Sequence, residues 1–314
     1  MKMAFSYLCV AFGVLAMVGA EPAMAQEPTA KVGMTVQSIR GKPHPSRTGT
    51  DLDKADFISL DVSAKVQVYN GTPADGKDWP ATMVSRPSGC TATMIGPRVM
   101  LTAAHCVENG ASVMFFIAGK TRTATCTHHE KYSAAYDNAQ TSANWAATSA
   151  DYAVCVVPEA DRVSGVLLEV VGAGPLFGNG ETVRLLGFGC NGTTIDSDGY
   201  GTLRTAAAGI EALPAAPNNY FVTDWSKGGF GHAKGGVVCP GDSGGAVYWP
   251  VSGVRRIVAL NSRTGVTADG RTLIGKSYLS SVLTESANQF LNRFSTAENG
   301  GICGLRPGVE GCRQ

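Results

Sequence analysis

The sequence has little charge and, after its first 25 residues, no long apolar run. Charged residues make up 16% of the 314 residues, and the formal net charge is +1. This balance gives no electrostatic reason to expect nucleic acid or an anionic membrane as a partner. No later run is long enough to cross a bilayer, and phosphate-loop and dinucleotide-binding fingerprints are absent. We therefore expect no stable membrane anchor and no cofactor.

The residue spacing of a zinc site is also missing. No C-x-x-C pair occurs, and the neighbours His128 and His129 would point to opposite faces of a strand. We therefore expect no metal site.

The first 25 residues form a pattern of their own. Lys2 precedes an apolar run that ends near Ala20, and Ala23-Met24-Ala25 follows. Positive, apolar and A-x-A segments in this order are typical of a secretory signal peptide, cleaved here after Ala25. A membrane anchor is the alternative, but the run is short for a span and a processing site follows it. The sequence thus predicts residues 1–25 as a signal peptide and the protein as secreted or periplasmic.

Cysteine is frequent in the remaining chain. Cys9 lies inside the predicted signal peptide, which leaves eight others. An even number in an exported protein predicts disulfides, although the count does not give their pairing. The eight are Cys90, Cys106, Cys126, Cys155, Cys190, Cys239, Cys303 and Cys312.

The body of the chain reads as strands joined by turns. From Val68 onward, short apolar runs are broken by Gly, Pro, Asn and Asp, and the chain holds 39 glycines. Such spacing predicts an all-β barrel or sandwich. One amphipathic helix is predicted over residues 281–294, with Leu283, Phe290 and Leu291 on one side.

Two segments flank this body. Residues 26–67 carry scattered charges and no cysteine, and they are predicted to be a propeptide or linker. Residues 295–314 form a glycine-rich tail that holds the last two cysteines.

Three short motifs contain candidate catalytic residues. Ser243 lies within Gly241–Gly245, His105 follows Ala103-Ala104 and precedes a cysteine, and Asp151 opens an apolar strand. Each alone has an ordinary explanation as a turn serine, a packed histidine or a strand-edge acid. Together, His, Asp and Ser follow one of the few chain orders in which a Ser-His-Asp triad recurs.

These motifs resemble the signatures of the trypsin/chymotrypsin family of serine peptidases. Leu101–Cys106, Asp151–Val154 and Gly241–Gly245 are similar to its three motifs, and Val68–Ala74 is similar to its mature amino terminus. The resemblance covers about residues 68–294, and three ordered motifs are a specific signal.

The resemblance implies an all-β fold of two six-stranded antiparallel β-barrels, with the active site between them and a C-terminal helix. His105 and Asp151 would come from the first barrel and Ser243 from the second. Ser243 would attack a peptide carbonyl, His105 would take and return the proton, and Asp151 would orient the imidazole. The amides of Gly241 and Ser243 would form the oxyanion hole.

The resemblance also implies activation by cleavage. The new amino group of Val68 would pair with Asp242, which without a partner would be a costly buried carboxylate. The family usually has Arg or Lys before the cleaved bond, whereas this chain has Gln67; cleavage after Lys65 with later trimming is another route.

The primary specificity pocket is expected to be apolar. Val237 stands six residues before Ser243, where a trypsin-like aspartate would be, and Val238 follows. Ala259 begins Ala259–Asn261, which stands where the family commonly has Ser-Trp-Gly. We expect hydrophobic rather than basic side chains at the scissile bond, unless an acid such as Asp224 or Asp269 enters the pocket.

The resemblance suggests one disulfide, and three further pairs are hypotheses. The Cys90–Cys106 spacing matches that of the family's disulfide beneath the histidine loop. Cys126 with Cys155 would join neighbouring strands of the first barrel, Cys190 with Cys239 would brace the pocket rim, and Cys303 with Cys312 would close a loop in the tail.

The expected protein is therefore a secreted serine endopeptidase made as a zymogen. Its expected partners are protein or peptide substrates and an activating protease, and it is expected to be a monomer. A non-catalytic binding protein on the same fold is the alternative. Gly241–Gly245 also matches the Gly-x-Ser-x-Gly motif of α/β-hydrolase esterases. In that fold, however, the triad residues follow a different order along the chain.

Overall fold

Short strands dominate the chain from residue 72 onward. A computed structural model describes residues 35–38, 68–133, 145–172, 178–195, 199–227, 234–251, 254–266 and 271–314, without the side chains of residues 35–38, Trp145 and Val251. All of these residues belong to one structural unit, Gly33–Gln314. The predicted signal peptide, and the predicted propeptide apart from residues 35–38, lie outside the described residues. Of the helices in the described ranges, none has the length and apolar character needed to cross a bilayer.

Six antiparallel strands close the first barrel. In chain order, β1 (Thr35–Ser38) and β2 (Thr72–Pro73) precede it, and its own strands are β3 (Thr82–Arg86), β4 (Cys90–Met94), β5 (Val99–Thr102), β6 (Ser112–Ile117), β7 (Lys120–His128) and β8 (Ala153–Val156). Their order around the barrel is β3-β4-β5-β8-β7-β6. Alternate residues of β6, namely Val113, Phe115 and Ile117, are buried in the core, as expected for strands with one face inward.

The second barrel is also closed by six antiparallel strands. After β9 (Val170–Val171), its strands are β10 (Thr182–Gly187), β11 (Arg204–Ala212), β12 (Tyr220–Asp224), β13 (Ala246–Val251), β14 (Val254–Val266) and β15 (Leu273–Ser281). They are ordered β14-β13-β10-β11-β12-β15, and β14–β15 pairing closes the ring. β1 and β9 pair with β14, and β2 pairs with β11. The predicted two-barrel fold is confirmed.

The helices are few in the described part of the chain. They are α1 (Trp145–Thr148) and α2 (Glu285–Phe294), with short 3-10 helices at Ala104–Cys106 and Glu159–Asp161. The C-terminal helix was predicted from residue 281, but Ser281 still belongs to β15, and Thr284 caps the helix by accepting a bond from the Ala287 amide. A threonine cap fixes the start because its side-chain oxygen satisfies one of the first amides. Phe290 and Leu291 are buried in the core as expected, whereas Leu283 precedes the helix.

The C-terminal tail is part of the folded body. Ile302 and Cys303 are fully buried, and the Cys303 amide donates to the Ile95 carbonyl at 2.8 Å. The Val171 amide donates to the Cys303 carbonyl at 2.8 Å. The tail therefore packs on the first barrel and on β9.

Four disulfides join the eight cysteines in the pairs Cys90–Cys106, Cys126–Cys155, Cys190–Cys239 and Cys303–Cys312. The second links directly opposed residues of β7 and β8. The third ties the segment after β10 to the loop that carries Ser243. These are the pairs expected from sequence, of which only Cys90–Cys106 came from the resemblance.

Candidate active site

Strand pairing in the first barrel brings His105 and Asp151 together. Thr102 of β5 lies opposite Ala153 of β8, and the two candidate residues lie just beyond that pair. The 3-10 helix Ala104–Cys106 then turns the histidine back toward the aspartate. His105 Nδ1 lies 2.6 Å from Asp151 Oδ2, and the His105 amide donates to Oδ1 at 2.9 Å.

Ser243 completes a chain of hydrogen bonds. Its Oγ lies 2.8 Å from His105 Nε2, so the three candidate residues are in direct sequence from carboxylate to hydroxyl. Ser243 and Asp151 have no exposed surface, and His105 is 4% exposed. The arrangement has the geometry that proton transfer from a serine to an imidazole requires.

Asp151 is held as an anion despite its burial. Burial alone would raise its pKa, but the nearby His105 and Arg263 and the hydrogen bonds from His105 and Ser262 lower the pKa to about 2. The Ser262 hydroxyl donates to Oδ2 at 2.5 Å. An ionised carboxylate at Nδ1 favours the tautomer that leaves Nε2 free of a proton.

Thr91 of the first barrel holds the loop that carries Ser243. Its amide donates to the Ser243 carbonyl at 2.8 Å, and its Oγ1 donates to the Gly241 carbonyl at 2.9 Å. Gly244 has φ +76°, and a Cβ there would lie 2.2 Å from Thr102 Oγ1 and 2.4 Å from the Thr91 carbonyl oxygen. Only glycine permits this close approach, and the loop is therefore held closely against the first barrel.

Gly241 has a backbone conformation that suits its predicted role. Its φ is +96°, a region that L side chains rarely adopt. It is the third residue of a tight turn in which the Asp242 amide donates to the Cys239 carbonyl, and a second turn follows in which the Gly245 amide donates to the Asp242 carbonyl. Donation by the Gly241 and Ser243 amides to a substrate oxyanion stays a prediction.

Asp242 is a fully buried carboxylate whose partners are backbone amides. Gly189 N–H donates to Oδ1 at 2.8 Å and Cys239 N–H donates to Oδ2 at 2.9 Å. Burial raises the pKa of Asp242 to about 7, because those two bonds offset only part of the lost hydration. Among the residues that the structure describes, Asp242 forms no salt bridge.

Val68 is already inside the second barrel before any cleavage. Its side chain is fully buried with Val238 and Ala206, and Tyr69 exchanges two backbone bonds of 3.1 Å with Val237. Its φ of +44° is unusual for a β-branched residue and strains the backbone by about 1–3 kcal/mol. Cleavage of the bond before Val68 would relieve that constraint, because φ is defined by the bond to the preceding carbonyl.

The predicted pocket residues are buried. Val237, Val238 and Ala259 have no exposed surface, and Val238 and Ala259 belong to the core of the second barrel. The contact between β14 and the triad is made by Ser262, three residues after Ala259. β14 carries a β-bulge before this point, since Val247 lies opposite Ala259 whereas Tyr248 lies opposite Ile257.

Ser262 and Arg263 were missed by sequence reasoning. Arg263 is 2% exposed, and its Nε donates to the Tyr220 hydroxyl at 2.8 Å, which in turn donates to the Thr148 carbonyl at 2.7 Å. Neither residue lies in a recognisable motif. Their proximity to Asp151 follows from packing between the barrels, which no local pattern encodes.

The other candidate ligands have structural partners. Cys90 and Cys106 lie near His105, but their sulfurs are bonded to each other and are not thiolates. His129 packs between the rings of Tyr152 and Phe290 at centroid distances of 4.9 and 5.1 Å. Burial is the main reason that its pKa is lowered.

Two six-stranded barrels with a buried Ser-His-Asp arrangement define a serine-peptidase type of protein. The family model for trypsin matches residues 68–278, about two thirds of the chain. The chain belongs to the trypsin family. A search of curated proteins finds none that matches it. Membership of this family supports a serine-protease-like function with protein substrates.

Proposed function

We propose that the chain, once cleaved before Val68, is a serine endopeptidase that works through an acyl-enzyme on Ser243. The observation that carries this proposal is the unbroken hydrogen-bond chain from Ser262 through Asp151 and His105 to Ser243. A binding protein that had lost catalysis would have no need of this buried, fully connected set.

The reaction follows from the positions of the groups. Ser243 Oγ attacks the peptide carbonyl carbon while His105 Nε2 takes its proton, and the C–O bond forms as the carbonyl oxygen becomes an anion. The amides of Gly241 and Ser243 stabilise that anion, each contributing about 3 kcal/mol. His105 then gives the proton to the leaving nitrogen, and the C–N bond breaks. Water hydrolyses the ester by the same path in reverse.

We propose a hydrophobic, non-basic primary specificity. Val237 and Val238 supply no carboxylate, and the Val238 amide bonds to the Ser277 hydroxyl at 3.0 Å. Asp224, the nearest acid considered from sequence, already bonds to Ser226 at 2.7 Å and lies 3.6 Å from the Lys276 ammonium. Asp269 lies outside the described residues.

A peptide library tests the function and the specificity separately. Protein cleaved before Val68 is expected to hydrolyse the library with medium or large apolar residues before the scissile bond, because an apolar pocket excludes an unpaired cation. Mass spectrometry of the products measures this. Absence of cleavage under conditions where a control protease is active would contradict the endopeptidase. A preference for Arg or Lys would contradict only the apolar pocket.

We also propose an exported zymogen. Four disulfides favour an oxidising compartment, which agrees with the signal peptide predicted over residues 1–25 and with a secreted or periplasmic protein. An activating protease would cut after Gln67, and the new Val68 ammonium would replace the backbone amides as the main partner of Asp242.

The proposed ion pair between the Val68 ammonium and Asp242 predicts that the stability of the intact chain depends on pH and that cleavage abolishes this dependence. In the intact chain the folded-state pKa of Asp242 is about 7 against an ordinary value of 3.8. The folded protein then holds a proton that the unfolded chain releases, so stability is fully present below about pH 4 and declines as pH rises to about 7. The shift corresponds to a loss on the order of 4 kcal/mol. After cleavage the ammonium keeps Asp242 ionised, and this decline is expected to vanish.

Urea unfolding between pH 4 and 7 measures this effect. Asp242→Asn, made in both the intact and the cleaved chain, serves as the reference, because subtracting it removes the contribution of other titrating groups such as His129. If the intact and cleaved chains show the same difference from their Asn variants, the proposed pair is wrong.

A further inference from the structure

A strand from the amino-terminal segment is bound beside the triad. β1 pairs antiparallel with β14, with Thr35 opposite Val266 and Ser38 opposite Arg263. The last of these positions follows directly after Ser262, whose hydroxyl contacts Asp151. Residues that precede Val68 by about thirty positions therefore reach the edge of the candidate active site.

Three segments pair in turn with the same edge of β14 along its length: β13, the loop that carries Ser243, and β1. β13 pairs with it as far as Leu260, opposite Ala246. At Asn261 the loop of the nucleophile takes over, since Gly244 N–H donates to the Asn261 carbonyl and Asn261 N–H donates to the Gly245 carbonyl, each at 2.8 Å. Pairing with β1 starts two residues later, at Arg263, which lies opposite the last residue of β1, Ser38. An extended peptide that reached Ser243 along this strand would need the backbone groups that β1 uses.

The direction of β1 leads toward the triad. Because the pairing is antiparallel, the chain advances from Val266 to Arg263 of β14 as it runs from Thr35 to Ser38, at about 3.4 Å per residue. β15 covers the other side of β14, with Arg263 opposite Tyr278 and Thr264 opposite Ser277. β14 is thus paired on both sides at this point, and it is buried from Ile257 to Val266.

Ser243 and His105 are buried in the intact chain. Ser243 has no exposed surface and His105 is 4% exposed while residues 1–67 are still attached. A serine that attacks a substrate carbonyl must be reachable, because the reacting atoms have to approach within about 3–3.5 Å. The intact chain therefore presents a formed but covered site.

We propose that Thr35–Ser38 is an inhibitory strand that occupies the peptide-binding edge of β14 until activation. The inference rests on the proposed peptidase function and adds a second control to it, separate from the Val68–Asp242 pair. Strand addition binds any extended backbone through main-chain bonds, and a covalent tether raises its effective concentration to the order of millimolar. A four-residue strand has little affinity of its own. Cleavage before Val68 removes the tether, and the strand then leaves.

Proline substitutions in β1 test whether the strand pairs with β14. The double variant Val36→Pro/Gln37→Pro removes the backbone N–H groups of two successive residues. Because successive N–H groups of a strand point to opposite sides, one of the two removed groups would face β14. Lys54→Pro/Ala55→Pro, in the same segment but outside β1, is the matched control. In the intact chain, hydrogen exchange is expected to be at least about tenfold faster in the β1 variant, and unchanged in the control, for those amides of Arg263–Val266 that bond to β1, about every second one. The amides that bond to β15 should change little and serve as an internal reference.

A fluorophosphonate probe tests the inhibition. In the intact chain, Ser243 is expected to react about tenfold faster in the β1 variant than in the wild type or the control. Unchanged amide exchange would overturn the pairing, and faster exchange with unchanged labelling would overturn the inhibitory role. All three chains cleaved before Val68 should react equally. If none of the cleaved chains reacts while a control protease does, the proposed peptidase function itself fails, and the inhibitory role fails with it.

Discussion

Ser243→Ala is expected to lower kcat/KM for peptide hydrolysis by about a million-fold in protein cleaved before Val68. Alanine removes the oxygen that lies 2.8 Å from His105 Nε2, so no acyl-enzyme forms. The remaining groups still bind substrate and stabilise an oxyanion, which leaves a residual rate about a thousand-fold or more above that in water.

The variant should otherwise resemble the wild type. Its thermal unfolding is expected to change little, because the Ser243 carbonyl still accepts from the Thr91 amide. Ser226→Ala is the matched control, since that exposed serine contacts Asp224 and not the triad. Activity of Ser243→Ala above about one per cent of wild type would assign the nucleophile to another residue.

Asp151→Asn is expected to lower kcat by about ten-thousand-fold, the loss known for this exchange in a Ser-His-Asp triad. An asparagine NH₂ facing His105 Nδ1 donates where the carboxylate accepts. The imidazole then carries its proton on Nε2, and that nitrogen no longer accepts the proton of Ser243. KM should change little, because Asp151 is buried behind the histidine and has no exposed surface.

Two comparisons separate this tautomer effect from damage to the fold. Asp75→Asn alters an exposed carboxylate that accepts from the Lys77 amide, and it should leave activity unchanged. Ser262→Ala keeps the Asp151 charge but removes one donor, so its loss should be far smaller than that of Asp151→Asn. Equal losses in Ser262→Ala and Asp151→Asn would mean that the network acts through its shape rather than through the charge at Nδ1.

The sequence was sufficient for those parts of the protein that local motifs encode. The fold and the family followed from three ordered motifs around His105, Asp151 and Ser243, and both are confirmed. The four cysteine pairs in the structure are those expected from sequence, Cys90–Cys106 from the resemblance and the other three as hypotheses. These features are readable because the residues involved sit in short segments of distinctive composition.

Features that depend on tertiary packing could not be predicted from the sequence. Ser262 and Arg263 reach Asp151 across the interface between two barrels, and neither stands in a motif. β1 pairs with a strand more than two hundred residues later, and the short run Thr35–Ser38 carries no sign of that pairing. The C-terminal helix began later than predicted because hydrophobic periodicity does not mark the cap at Thr284.

The bonds from Thr91 to the loop of Ser243 have a consequence for biosynthesis. The histidine and aspartate lie in the barrel that is synthesised first, and the nucleophile lies in the barrel that follows. Neither barrel alone contains all three residues of the candidate triad. The loop that carries Ser243 is held by hydrogen bonds from Thr91 of the first barrel. On the proposed function, a nascent or half-folded chain thus lacks the assembled groups for proteolysis, and activity requires completed folding as well as the cleavage before Val68.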